Sequence, residues 1–134
     1  MKFKAFLVVV ASSVVLGCGG SGTDASVSLV GTWKLTSVNG SSLPVTLQAA
    51  NPKIEVLSDQ VIFASAGTFT QTGNYRITSS GTVSNQPITD TGTWTQSGTA
   101  VTVHNSDNST LTGSQIGTVF TIVLTPNSFV YTKQ

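Results

Sequence analysis

The stretch Gly31–Gly40, GTWKLTSVNG, decides the fold class. Trp33 and Leu35 share one parity while Thr32, Lys34 and Thr36 share the other. A strand built from them buries one face and wets the other, because successive strand side chains point to opposite sides. Asn39-Gly40 then ends the strand with residues that accept the positive φ of a tight turn.

The same pattern continues outward to the C-terminus. From Leu29 onward Thr, Val, Ile and aromatic residues alternate with polar neighbours, with no sustained apolar spacing of the helical kind. All-β is the class this implies. The segment SLPVTLQAANP, from Ser42, carries Pro44 and Pro52 and reads as a loop or lid whose Leu43, Val45 and Leu47 need something to cover. Next, KIEVLSDQVIFASAGTFTQTGNYRITSSG reads as two long strands turning near Ser65-Ala66-Gly67, with Phe69, Tyr75 and Ile77 inward and Thr70, Asn74, Arg76 and Thr78 outward. A second hairpin follows, with Trp94 inward, a turn at Ser97-Gly98, and Val101 and Val103 inward. A weak strand, an apolar strand through Phe120, Ile122 and Leu124, a Pro126-Asn127 turn and a last strand through Phe129 and Tyr131 close the chain. About eight strands at this spacing suit a single sandwich or barrel domain. GTFTQTG from Gly67 and GTWTQSG from Gly92 resemble each other, which two strands of one sheet obeying the same turn and alternation rules explain without duplication.

The N-terminus is of a different kind. Lys2 and Lys4 precede an apolar run from Ala5 to Leu16, the order of an export signal and too short for a permanent span. At its end, Val15-Leu16-Gly17-Cys18 resembles the lipobox of bacterial lipoproteins. That resemblance implies a signal peptide over 1–17, cleavage before Cys18 and a diacylglyceryl group on its sulfur. Two acyl chains hold a domain on a membrane where one is marginal. The same resemblance implies, from Gly19 rather than Asp after the cysteine, the outer membrane of an envelope that has one. Residues 18–28 are Gly/Ser-rich and read as a flexible lipidated tether, with the domain over 29–134.

Without the signal, Lys34, Lys53, Arg76 and Lys133 stand against Asp24, Glu55, Asp59, Asp90 and Asp107, so no basic surface invites nucleic acid. Enzyme chemistry finds little footing either. His104, the one histidine, takes the outward parity opposite Val101 and Val103, and with Asp107 offers two ligands where a zinc site needs three or four. Glu55 and Asp59 read as charges protecting a sheet edge, while Asp90 and Asp107 fall in turns. No nucleophile with a neighbouring base and no phosphate loop is present. The expectation is a non-enzymatic monomer without metal or cofactor.

LVGTWKLTSVNGSSLP, with the hairpin DTGTWTQSGTAVTV and the closing SFVYTKQ, resembles bacterial lipocalin-like lipoprotein domains. The resemblance implies an antiparallel up-and-down barrel, closed or nearly so, with Trp33 plugging one end and Lys133 lying across it. Two functions then compete. In a binding module, Leu43, Val45 and Leu47 line the mouth, and Phe69, Tyr75 and Trp94 face a small hydrophobic or amphipathic ligand. In an envelope interaction protein, Trp33, Phe63, Phe69, Tyr75, Trp94, Phe120 and Phe129 fill the interior. An interior on the order of several hundred Å³, open at one end, supports the first, and a packed interior supports the second.

Overall fold

The computed structural model describes residues 27–134; the expected signal peptide, Cys18 and all but the last two residues of the expected tether lie outside the described residues. In chain order the strands are β1 (Gly31–Val38), β2 (Ser41–Ser42), β3 (Val45–Gln48), β4 (Lys53–Phe63), β5 (Thr68–Ser79), β6 (Thr82–Ser97), β7 (Ala100–Asn105), β8 (Thr110–Ile116), β9 (Val119–Leu124) and β10 (Asn127–Lys133). From β4 to β10 each strand pairs antiparallel with the next. β1 joins both ends of this run, pairing with β10 from Trp33↔Lys133 to Val38↔Phe129 and with β4 from Gly31↔Phe63 to Lys34↔Gln60. The sheet therefore closes into an eight-stranded antiparallel barrel, and β2 and β3 are short additions in the β1–β4 connection.

Beyond Lys34 and Gln60 the strands β1 and β4 part, and β3 takes over the edge of β4 through Val45↔Val56 and Thr46↔Glu55. The segment expected as a lid is thus partly strand. Its prolines sit just before β3 and β4, where a missing N–H removes no ladder bond. Val45 is buried, and Leu43 and Leu47 pack half-buried against the core.

A bulge between Val56 and Ser58 leaves Leu57 out of register and fixes which side chains of β4 enter the barrel. Asp59, Val61 and Phe63 point inward with Gly73, Gln71 and Phe69 opposite them. β4 is flanked on both sides, so Glu55 and Asp59 guard no edge. Glu55 instead accepts from Lys53 Nζ at 2.9 Å and Arg76 Nε at 2.8 Å on the outer face.

The inward aromatic residues gather at the end of the barrel where the chain enters. Phe63 contacts Phe120 at 5.4 Å and Trp94 at 5.6 Å, both edge to face, and Phe120 meets Trp33 at 6.0 Å. Such pairs add about 0.5–1.5 kcal/mol beyond the area they bury. Trp33 is 0% exposed and donates its Nε1 proton to the Leu29 carbonyl at 2.6 Å. Lys133 bonds the Ser28 carbonyl and holds its ammonium 5.6 Å from the Trp33 ring centre. Gln115 donates to the Val27 carbonyl at 2.6 Å. Three side chains thus tie residues 27–29 beneath the barrel, and Leu29, 1% exposed, seals the end.

The two similar segments use their glycines differently. Gly67 takes a positive φ of 80° in the β4–β5 turn. Gly92 lies within β6, where an added Cβ would stand 2.8 Å from the Phe69 ring and 1.9 Å from the His104 carbonyl oxygen. One glycine makes a turn and the other makes room for an aromatic ring, as independent strands would.

Emptying the Trp33 site should cost about 3–5 kcal/mol, the range for a fully buried aromatic. Thr95→Ala, on the exposed face of β6, should change stability by less than about 0.5 kcal/mol. Chemical denaturation of Trp33→Ala and Thr95→Ala measures both.

Candidate functional site

Above the aromatic plug the barrel is hollow. A cavity of about 90 Å³ lies there, with Val61, Leu111, Ile122, Leu124 and Phe129 among its apolar walls. Leu124 is 41% exposed, so the wall of the cavity reaches the surface. An apolar cavity of about 150 Å³ holds benzene, which puts the present one at a molecule of about four heavy atoms. Ligand pockets ordinarily run from about 300 Å³ upward, so this cavity falls short of the expected volume for a binding barrel and admits only a very small molecule.

The polar lining is concentrated around one carboxyl group. Asp59 is 4% exposed. Its Oδ2 accepts from Tyr131 Oη at 2.8 Å and from Gln71 Nε2 at 2.6 Å. Its Oδ1 is buried with no hydrogen-bond partner. Tyr75 and Asn105 complete the polar part of the wall. Each partner arrives by strand alternation: Gln71 and Tyr75 share the inner parity of β5, and Tyr131 that of β10.

Burial pushes the Asp59 carboxyl above the usual aspartate range, against the opposing pull of Tyr131, Gln71 and the Gln60 backbone. Burial and the neighbouring Asp59 raise Tyr131 strongly, and the same two causes raise Tyr75. Neither tyrosine is an anion at neutral pH. The charges that balance carboxylates elsewhere are spent at other places: Lys53 and Arg76 on Glu55 outside the barrel, and Lys133 on the Ser28 carbonyl at the plug. Asp59 is therefore held by two neutral side-chain donors and the Gln60 backbone, with no cation paired to it.

Gly73 makes the placement of this carboxyl possible. It faces Asp59 across the β4–β5 ladder, and a Cβ on it would come within 3.1 Å of Oδ1 and 2.9 Å of the Ser58 carbonyl oxygen. A glycine inside a strand marks such a close approach.

The residues expected at a ligand site divide into three groups. Phe69 and Tyr75 line the cavity. Trp94 does not; it is half-buried in the plug and donates Nε1 to the Ala64 and Thr68 carbonyls, each at 3.1 Å. Val45 and Leu47 belong to the core, and Leu43 lines a second, more open groove of about 550 Å³ with Lys34, Leu35 and Ile88, which Asp59 and Gly73 also border. Trp33 and Lys133 meet at the plug. His104 faces outward and bonds Thr110 Oγ1 at 3.0 Å. Among the described residues no three His, Cys, Asp or Glu side chains gather to hold a metal. Sequence reasoning missed Asp59 and Gln71. The signal was the unbroken alternation Asp59, Val61, Phe63 at the end of β4, which puts the carboxyl on the same side as two core residues.

The pH dependence of stability follows from the directions of these shifts. A carboxyl raised in the folded state binds its proton more tightly than in the unfolded chain, so its contribution to stability falls as pH rises from 3.8 through the raised value. Glu55, lowered to about 2 by Arg76 and Lys53, acts oppositely and loses its contribution as pH drops from 4.5 towards 2. Asp59→Asn keeps an oxygen for Tyr131 and Gln71 and removes the charge. At pH 7 it should stabilise the protein by about 1–2 kcal/mol, within the range for an unsatisfied buried group, with the gain shrinking as pH falls towards 3.8. Glu55 is common to both proteins and cancels, so denaturation of the pair at several pH values isolates Asp59.

A family model described as a lipocalin-like domain matches residues 29–131, the stretch that runs from the plug residue Leu29 to the cavity residue Tyr131. No curated protein and no solved structure matched the chain. The match spans the whole closed barrel with both its plug and its cavity, and the chain belongs to the lipocalin-like domain family.

Proposed function

We propose that the protein is a non-enzymatic, membrane-anchored binding module that takes a small amphipathic molecule into its barrel. The observation that carries the reading is the cavity itself: about 90 Å³ of space directly above a tightly packed plug, lined by apolar walls and one cluster of hydrogen-bonding groups. A barrel that served only as a scaffold gains from filling such space, since a void forfeits dispersion contacts along its whole lining. The interior is instead divided, solid where the aromatics meet and open between Asp59, Gln71, Leu111 and Leu124.

Anchoring is part of the proposal and rests on the lipobox-like Val15-Leu16-Gly17-Cys18. If Cys18 carries the acyl chains, the tether joins the barrel at its plugged end, where Val27, Ser28 and Leu29 are held by Gln115, Lys133 and Trp33. Nine residue steps from Cys18 to Val27 reach at most about 30 Å. The plug then stays close to the bilayer and the strand ends near Leu124 stay on the side away from it.

Two experiments separate the parts of this reading. Leu111→Trp puts a large side chain into the cavity wall; it should abolish retention of any small molecule that native mass spectrometry finds on the purified wild-type protein. A wild-type protein that carries no such molecule, and shows no saturable uptake of small amphipathic compounds by NMR, contradicts the binding reading. Cys18→Ser should remove both the acylation site and cleavage, leaving a precursor of full length on a gel. Normal processing and release of a soluble domain contradict the anchor.

A further inference from the structure

We infer that the molecule the cavity takes carries a primary ammonium group, and that Asp59 is the residue that selects it. The inference rests on the binding reading above and deepens it. A buried carboxylate ordinarily has a cation beside it or donors on both oxygens, because an unpaired charge out of water is costly. Asp59 has neither. Oδ2 takes both side-chain donors, Tyr131 Oη and Gln71 Nε2, and Oδ1 takes none although it is buried. The missing partner is a group with a strong donor, and the chemistry of the lining says which.

The other groups around the cavity leave one position for a positive charge. The titratable groups that line the cavity with Asp59 are Tyr75 on β5 and Tyr131 on β10, both with raised pKa values and both neutral, while the exposed Lys34 of β1 borders a second opening that Asp59 also lines and, among the described residues, forms no ion pair with it. No lysine or arginine lines the space. The cavity therefore has a net negative charge when Asp59 is ionised, and nothing in its wall repels a cation. An ammonium on Oδ1 makes a charge-assisted hydrogen bond, the strong kind. It has two further protons to donate, and the Tyr75 hydroxyl and the Asn105 side-chain oxygen are acceptors in the same lining. An anionic molecule would meet Asp59 as a like charge. A neutral alcohol could donate to Oδ1 but would leave the buried charge uncompensated.

Size sets the rest. About 90 Å³ accommodates a molecule of about four heavy atoms, so the apolar part is a short alkyl chain lying against Leu111, Ile122, Leu124 and Phe129. The ligand class is a short-chain primary amine.

Propylamine and propan-1-ol are matched probes, alike in size and differing in the head group. NMR titration of the ¹⁵N-labelled protein at pH 7 should give saturable shifts around the cavity for propylamine, with a dissociation constant at least tenfold below that for propan-1-ol. In Asp59→Asn the amine should lose that advantage and bind no better than the alcohol. The amide spectrum of the variant, superimposable on the wild type away from the cavity, controls for folding. Equal binding of the two probes to the wild type, or an amine preference that survives in Asp59→Asn, overturns the selection by Asp59 while the binding reading stands. Binding of neither probe overturns both.

Discussion

The structure depends on a ladder of four residue pairs. Gly31 to Lys34 of β1 bind Phe63 to Gln60 of β4, and without that contact the remaining strands are an open, twisted sheet with two bare edges. The ladder also brings Trp33 opposite Val61 and beside Phe120, so the act of closure seats the residue around which the plug packs. Trp33 in turn reaches down to Leu29, and Lys133 to Ser28, which draws the entering chain across the open bottom of the barrel. Closure, plugging and the position of residues 27–29 are consequences of one short stretch of pairing.

A small barrel closed in this way has a fixed supply of interior, and the side chains decide how it is divided. Phe63, Phe69, Trp94 and Phe120 share the plugged end with Trp33, and Gly92 gives way so that Phe69 can lie flat on its strand. Towards the other end the inner positions become smaller or polar: Gln71, Gly73 and Asp59 on adjacent strands, with Tyr75 and Tyr131 above and beside them. Tyr131 belongs to both regions, its ring 5.8 Å from that of Phe120 and its hydroxyl on Asp59. The rigid core is thus wired to the polar cluster by one side chain. That arrangement holds the carboxyl in place while leaving one of its oxygens free.

Much of the fold was legible in the sequence because parity is robust. Trp33, Phe69, Tyr75, Val101, Val103, Phe120 and Phe129 all face the interior as their alternation requires. The segment around Val45 was harder, since two prolines in eleven residues read as a loop although they flank a short strand rather than interrupt it. The site was legible only in part. Phe69 and Tyr75 follow from parity, but an apolar residue's distance along the barrel axis does not, so Trp94 reads as cavity wall when it belongs to the plug. Asp59 was concealed by chemistry: an isolated acid between strand residues suggests edge protection, and only knowledge that β1 covers that edge turns it into a buried charge.

The small cavity above the plug is lined by a buried carboxyl group with no counter-charge. A ¹³C NMR titration of the Asp59 carboxyl carbon tests this directly. In the ligand-free protein the midpoint should lie above 3.8, because burial outweighs the donors to the carboxyl, and it should fall once an amine occupies Oδ1. A ligand-free midpoint at or below 3.8 would contradict this, since that value belongs to a carboxyl already satisfied by water or by the protein.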